Sequence, residues 1–176
     1  GTDLVVIGAG PGGYVAAIRA AQLGMKVVIA EKDACGGTCL NYGCIPTKAL
    51  YKNAQVMGYM DHSREFGIEI DGYRLDMEQV QARKNKIVKT LTGGVEYLLK
   101  SNKVAIEKGC AKIIKAGLVE VTGKDGTVKR LETKRILIAS GSKSSRLPIE
   151  GMDLEGVITS KEALDMKTVP EEIVII

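Results

Sequence analysis

The sequence predicts an α/β fold, a parallel sheet with helices joined to a small antiparallel β-meander. Three observations carry that expectation. Two short apolar runs, Leu4–Ile7 and Val27–Ala30, flank a stretch with helical spacing. Glycines at positions 8, 10 and 13 follow directly on the first run. Beyond Lys103 the hydrophobic period changes to two.

Taken in order, Leu4–Ile7 is a continuous apolar run of the kind that suits a strand buried on both faces. After it, Val15, Ala16, Ile18, Ala20 and Leu23 recur at helical spacing, and Gly24 falls where a helix C-cap is expected. Val27–Ala30 supplies the second strand. Gly8 permits a tight turn, Gly10 lets the backbone approach a pyrophosphate, and Gly13 lets the helix press on the strand. The helix N-terminus adds unpaired N–H groups and a positive dipole end, so the unit calls for an anionic ligand. Glu31 ends the second strand about twenty residues after the glycines, where a carboxylate can accept both hydroxyls of a ribose. An acidic side chain at that place disfavours a 2′-phosphate and hence NADP. Together these features make a Rossmann-like dinucleotide-binding unit.

Next comes "GGTCLNYGCIPTKAL", Gly36–Leu50, with Cys39 and Cys44 five positions apart. Such a pair can be a staple, a metal site or a redox reagent. Zinc needs further Cys or His ligands at short spacing, but Cys35 is the only near neighbour, Cys110 is remote and His62 is the sole histidine. A structural disulfide closing so short a loop restrains little of the unfolded chain. A reactive dithiol fits better. Gly43 and Pro46 predict a distorted helix through this stretch, and Lys48, one turn beyond Cys44, favours a thiolate.

Helical patterns are expected over 49–60 and again over 75–100, the second with Val80, Ile87, Leu91, Val95 and Leu98 on one face and Lys84, Lys86 and Lys89 elsewhere. "MDHSREFG" between them is loop-like, which makes His62 a surface residue. "LVEVTGKDGTVKRLET" reads as a hairpin turning at Asp125-Gly126, and "RILIASGS" as a return to a buried parallel strand. The final "IVII" has the apolar character of the opening "LVVI" and is expected to begin another strand.

Composition narrows the class. With 176 residues and 45% apolar content, the chain can bury a core without disulfide support. Four cysteines are too few for a stapled secreted scaffold, and the chain opens on a strand-like run, which leads us to expect a reducing, cytosolic compartment. No apolar run approaches the roughly 18 residues of a spanning helix, so no membrane partner is expected. The net charge of +4 is dispersed, and one Phe with no Trp offers no base-stacking platform. No nucleic-acid partner is expected either.

"GAGPGG", "EKDACGGTCLNYGCIPTKAL" and "ILIASGSKSSRLP" resemble the FAD domain of the pyridine nucleotide-disulfide oxidoreductases over essentially the whole chain. Within that family, Leu40 and "GCIPTKAL" look more like the dihydrolipoamide dehydrogenase branch than the glutathione or mercuric reductase branches. The resemblance implies an FAD-binding domain over 1–147 and, over 148–176, the connection to an NAD-binding domain together with its first strand. It implies FAD contacts from Gly8, Gly10, Pro11, Gly13, Glu31, Lys32, Gly37, Thr38, Cys39, Lys48, Ala111, Ser140, Gly141 and Ser142. By the same likeness Cys39 exchanges with a substrate dithiol, and Cys44 is the sulfur beside the flavin. Tyr42 stands where the family often has valine. The implied parent is a homodimeric, NAD-dependent enzyme acting on a lipoyl-bearing protein or a small disulfide, with its histidine base supplied by a C-terminal interface domain. The chain itself is then an N-terminal fragment, catalytically inactive alone, and the alternatives are an FAD-binding module without turnover or a related glutathione- or mercuric-type reductase.

Overall fold

Leu4, Val5 and Val6 are buried, as a strand with neighbours on both sides requires. In the computed structural model, which describes residues 1–176, that strand is β1 (Thr2–Ile7). The chain divides into two units: residues 1–41 with 89–143, and residues 42–88 with 144–176.

The first unit holds the sheet. After β1, α1 (Pro11–Gln22) leads to β2 (Val27–Glu31), which pairs parallel to β1 with Val5 opposite Val28. Proline at the first helical turn costs no hydrogen bond, and Gly24, with φ +87°, closes the helix end in the left-handed conformation expected of it. The buried stripe of α1 is Gly13 and Ala17, and the expected Val15 and Leu23 are exposed instead. Small residues win that face because the helix lies close to the strands. Three further strands follow β3 (Ala105–Lys108): β4 (Cys110–Lys115), β5 (Leu118–Thr122) and β6 (Val128–Ile138). The six-stranded order is β3-β2-β1-β6-β5-β4.

The expected hairpin forms between β5 and β6, and its second arm and the expected return strand are one strand here. Over Val128–Glu132, β6 pairs antiparallel with β5, and over Thr133–Ile138 it pairs parallel with β1. No turn-forming residue stands between Glu132 and Arg135, so the chain runs on. The return portion is also less buried than expected, with Ile136 and Leu137 only partly covered and Ile138 exposed. A core cluster of Val5, Ala30, Val119, Val121 and Leu131, with Ile7, Val28, Ala111 and Ile136 against it, packs meander residues on one face of the parallel strands. Fully burying a valine or leucine side chain such as those of this cluster stabilises by roughly 1.5–3 kcal/mol.

The second unit contains α3 (Cys44–Asp61), a 3₁₀ turn at Ser63–Phe66 and the start of α4 (Met77–Ser101). His62 is exposed as expected, its Nδ1 2.8 Å from the carbonyl of Gly58. The core face of α4 differs in phase from the expectation: Val80, Lys84, Val95 and Leu99 are buried, while Leu91 and Leu98 are exposed. Lys84 follows Val80 at i+4, so position rather than polarity puts it inside. Only 3% of it is exposed, and its ammonium donates to the carbonyl of Leu164 (2.9 Å) and pairs with Asp165. Beyond it lies α5 (Ser160–Ala163), opened by a Thr159/Glu162 capping box. Ile173–Ile176 form no strand, contrary to the expectation, since no other strand in the chain pairs with them; they are exposed.

Candidate functional site

The glycine turn lies at the C-terminal ends of β1, β2 and β6, within the first unit. Gly8 takes φ +99°, and a Cβ there would stand 2.3 Å from the carbonyl oxygen of Ala139 and 3.2 Å from Cα of Ser140. Ser140 therefore reaches the turn directly, and Ala139 donates to the carbonyl of Ile7 (2.8 Å) to hold it there. Gly13 is equally constrained, because a Cβ on it would meet the carbonyl oxygen of Gly8 at 1.8 Å. On the exposed side, a Cβ on Gly10 would meet only Cα of Gly37, at 3.7 Å. The space in front of Gly10 is open, no side chain caps α1, and its first turn carries no acidic residue. An open, uncapped and uncontested helix N-terminus is the cradle an anion needs.

Glu31 is built into the same edge. Its Oε2 accepts from the N–H of Ala9 (2.7 Å) and its Oε1 from the N–H of Asp33 (2.8 Å). A carboxylate has about four acceptor sites, so capacity remains for ligand hydroxyls. Lys32 beside it is exposed. The N–H of Gly109 donates to the carbonyl of Glu31 (2.9 Å), and two residues on, Ala111 lies in β4 opposite Val121. Gly141, in the left-handed region at φ +68°, and Ser142 are exposed after Ser140.

The cysteine segment enters this edge through backbone. Gly36 donates to the carbonyl of Ala9 (2.8 Å), and a Cβ on Gly37 would stand 2.5 Å from Cα of Gly10. There α2 (Gly37–Tyr42) begins, with Thr38 exposed and Cys39 half-buried. Asn41, which sequence reasoning passed over, donates through Nδ2 to the carbonyls of Cys35 (3.1 Å) and Gly37 (2.9 Å) and ties this loop to the helix. An asparagine next to a glycine turn is the signal that could have found it. Cys35 is 2% exposed, and burial, then the charges of Glu96 and Glu31, push its thiol from the ordinary 9.0 up to about 11. It is a packed neutral thiol.

The predicted distortion of the cysteine helix is a full break. Gly43 alone separates α2 from α3, and Pro46, fully buried, sits in the first turn of a new helix, where its missing N–H is of no consequence. The first helical bond there runs from Thr47 N–H to the carbonyl of Gly43 (3.0 Å). Cys44 and Lys48 belong to the second unit, at i and i+4 on α3, both exposed. No group of His, Cys, Asp and Glu is arranged to hold a metal ion.

The sequence profile described as "Pyridine nucleotide-disulphide oxidoreductase" matches residues 2–176. The chain belongs to that family. Curated relatives agree: "Dihydrolipoyl dehydrogenase, mitochondrial" of Dictyostelium discoideum is 47% identical over 99% of this chain and 36% of its own length. The human protein of the same name is 46% identical over 99% of this chain and 35% of its own. Among solved structures, the "HOCl-induced flavoprotein disulfide reductase RclA from Escherichia coli" superposes with a TM-score of 0.79 at 28% identity, covering 96% of this chain and 35% of that one. The chain thus spans about a third of the length of these relatives. Their names also correct the compartment. Both dehydrogenases are named mitochondrial, which points away from the cytosolic location expected from cysteine usage. Sparse cysteines report a reducing environment, and the cytosol is not the only one.

Proposed function

We propose that this chain is the FAD-binding part of a dihydrolipoamide dehydrogenase-like enzyme, with residues 1–147 forming the FAD domain and 148–176 leading to an NAD-binding domain. The observation that carries the reading is the contact between Gly37 and Gly10: the helix bearing Cys39 starts against the turn where a pyrophosphate is cradled. The names of the relatives support the reaction class.

In this reading Gly8, Gly10, Pro11 and Gly13 hold the pyrophosphate and Glu31 accepts the ribose hydroxyls. Lys32, Gly37, Thr38, Cys39, Lys48, Ala111, Ser140, Gly141 and Ser142 make the remaining contacts. FAD, when bound, is the two-electron acceptor that keeps the cysteine pair in use. The chain's own chemistry is thiol–disulfide exchange: the substrate's two thiols lose two protons and two electrons and close to a disulfide. The Cys39–Cys44 bond opens as its sulfurs take up both electrons and both protons. A lipoyl-bearing protein is the dithiol substrate of this direction, a small disulfide the substrate of the reverse exchange, NAD the final acceptor of the forward reaction, and the parent a homodimer. For this stretch alone, its share of about a third of the relatives' length favours a binding module without turnover.

The test uses the full-length polypeptide. Cys39→Ser and Cys44→Ser variants are expected to bind FAD, read by quenching of flavin fluorescence, while lipoamide-dependent NAD reduction falls to background. Undiminished turnover in either variant, or a wild type that binds no FAD, sinks the reading.

A further inference from the structure

We propose that Lys161 and Tyr42 form a positioning clamp on the break between the two cysteine-bearing helices, and that this clamp favours closure of the Cys39–Cys44 disulfide. The inference rests on the dithiol reading above. Tyr42 is the last residue of α2, and Gly43 is the single residue before Cys44 opens α3. Glycine has the least intrinsic backbone preference of any residue, so beyond the bond from Thr47 N–H to the Gly43 carbonyl (3.0 Å) the break gains from a restraint outside the local sequence.

A distant segment supplies it. Nζ of Lys161 lies 4.4 Å from the centroid of the Tyr42 ring, well inside cation–π range. Tyr42 is only partly exposed, which keeps competing water off part of the ring. Lys161 is itself held at both ends of its short helix. At the start, Thr159 Oγ1 accepts from the Lys161 N–H (3.3 Å), and Glu162 Oε2 accepts from the Thr159 N–H (2.9 Å). At the end, Gln81 Nε2 donates to the carbonyls of Leu164 (3.2 Å) and Met166 (2.8 Å), beside the buried Lys84 that bonds Leu164 and pairs with Asp165. The strap over 159–166 is therefore anchored to α4, and Lys161 carries that anchorage to Tyr42, one of the four residues between the cysteines. The other cation over a ring, Lys52 at 5.8 Å from Tyr59, joins two exposed residues of one helix and restrains nothing beyond it.

Disulfide closure demands one narrow geometry of the two sulfur-bearing residues. Ordering the chain beforehand lowers the entropy that closure must overcome. Losing the clamp should therefore leave the fold in place and make the disulfide less favourable.

The experiment equilibrates the full-length polypeptide with mixtures of reduced and oxidised dithiothreitol, blocks remaining thiols, and counts Cys39–Cys44 disulfides by mass spectrometry. Lys161→Gln and Tyr42→Leu are expected to lower the equilibrium constant for disulfide formation by ~2- to 5-fold. Lys161→Arg and Tyr42→Phe, which keep a cation on a ring, should match the wild type, with thermal midpoints unchanged in all four. A wild-type constant in Lys161→Gln overturns the clamp, as does an equal loss in Lys161→Arg or Tyr42→Phe. If Cys39 and Cys44 of the wild type never pair at any dithiothreitol ratio, the dithiol reading fails and takes the clamp with it. The wild-type titration thus separates the two failures.

Discussion

Gly13 has the least room of any glycine in the turn. A Cβ there would sit 1.8 Å from the carbonyl oxygen of Gly8, against backbone that cannot swing away as a side chain would. Gly13→Ala should therefore destabilise the fold by ~3 kcal/mol or more, the upper end for overpacking, in urea unfolding. Gly12→Ala, which meets nothing within 4 Å, should be within ~0.5 kcal/mol of wild type. Equal effects of the two substitutions would contradict the close approach of helix and turn. Cys35 makes a different residue-scale argument. Its thiol is raised from 9.0 to about 11, chiefly by burial, so the native state holds its proton where the unfolded state releases it. The stability this contributes is complete below pH 9 and is lost as pH rises toward about 11. A Cys35→Ala variant should lose less stability across that window than wild type does, in urea midpoints taken at pH 8 and pH 10.5. Parallel losses would refute a buried neutral thiol.

At the scale of elements, β1, α1 and β2 were legible because the apolar period and the glycine spacing act within thirty residues and agree with each other. The phase of α4 was not, because a lysine at a core position contradicts binary patterning and is stabilised by a segment eighty residues away. A still greater separation hides the Tyr42–Lys161 contact. The continuity of β6 was missed for another reason: its two halves pair in opposite senses, and sequence period cannot report which neighbour a strand has. Of the candidate site, the glycine turn, Glu31 and Ser140 were readable as local motifs and meet at one edge, whereas Asn41 acts only through backbone carbonyls. The α4 clasp yields an asymmetric prediction. Asp165 is 70% exposed while Lys84 is 3% exposed, so removing one partner is unlike removing the other. Asp165→Ala strands a buried ammonium and should cost ~2–4 kcal/mol, while Lys84→Met leaves a hydrated carboxylate and should cost under ~1 kcal/mol. Denaturant midpoints of the two variants decide it, and a larger loss in Lys84→Met would show that the ion pair itself, not the desolvation of the lysine, dominates.

Over the whole molecule, apolar surface is distributed in a way that a self-contained fold does not favour. Val174, Ile175 and Ile176 are 85–90% exposed, and Leu154, Val169, Ile138 and Tyr97 are exposed as well. Scattered exposed apolar residues are ordinary, but a contiguous run of four, Ile173–Ile176, is a sticky segment with high strand propensity and no partner in the chain. The curated relatives extend to nearly three times the matched length, so a longer polypeptide has the material to cover such a run. The 176-residue chain studied alone should therefore self-associate as its concentration rises, visible as a shift to faster-sedimenting species in velocity centrifugation. Replacing Val174 and Ile175 with Lys should reduce that shift, because charges on an unpaired apolar segment oppose strand addition, and should leave the β1–β6 sheet intact by circular dichroism. A wild-type chain that stays monomeric at high concentration, or a double-Lys variant that associates as strongly, would place the association elsewhere than in this segment or remove it altogether.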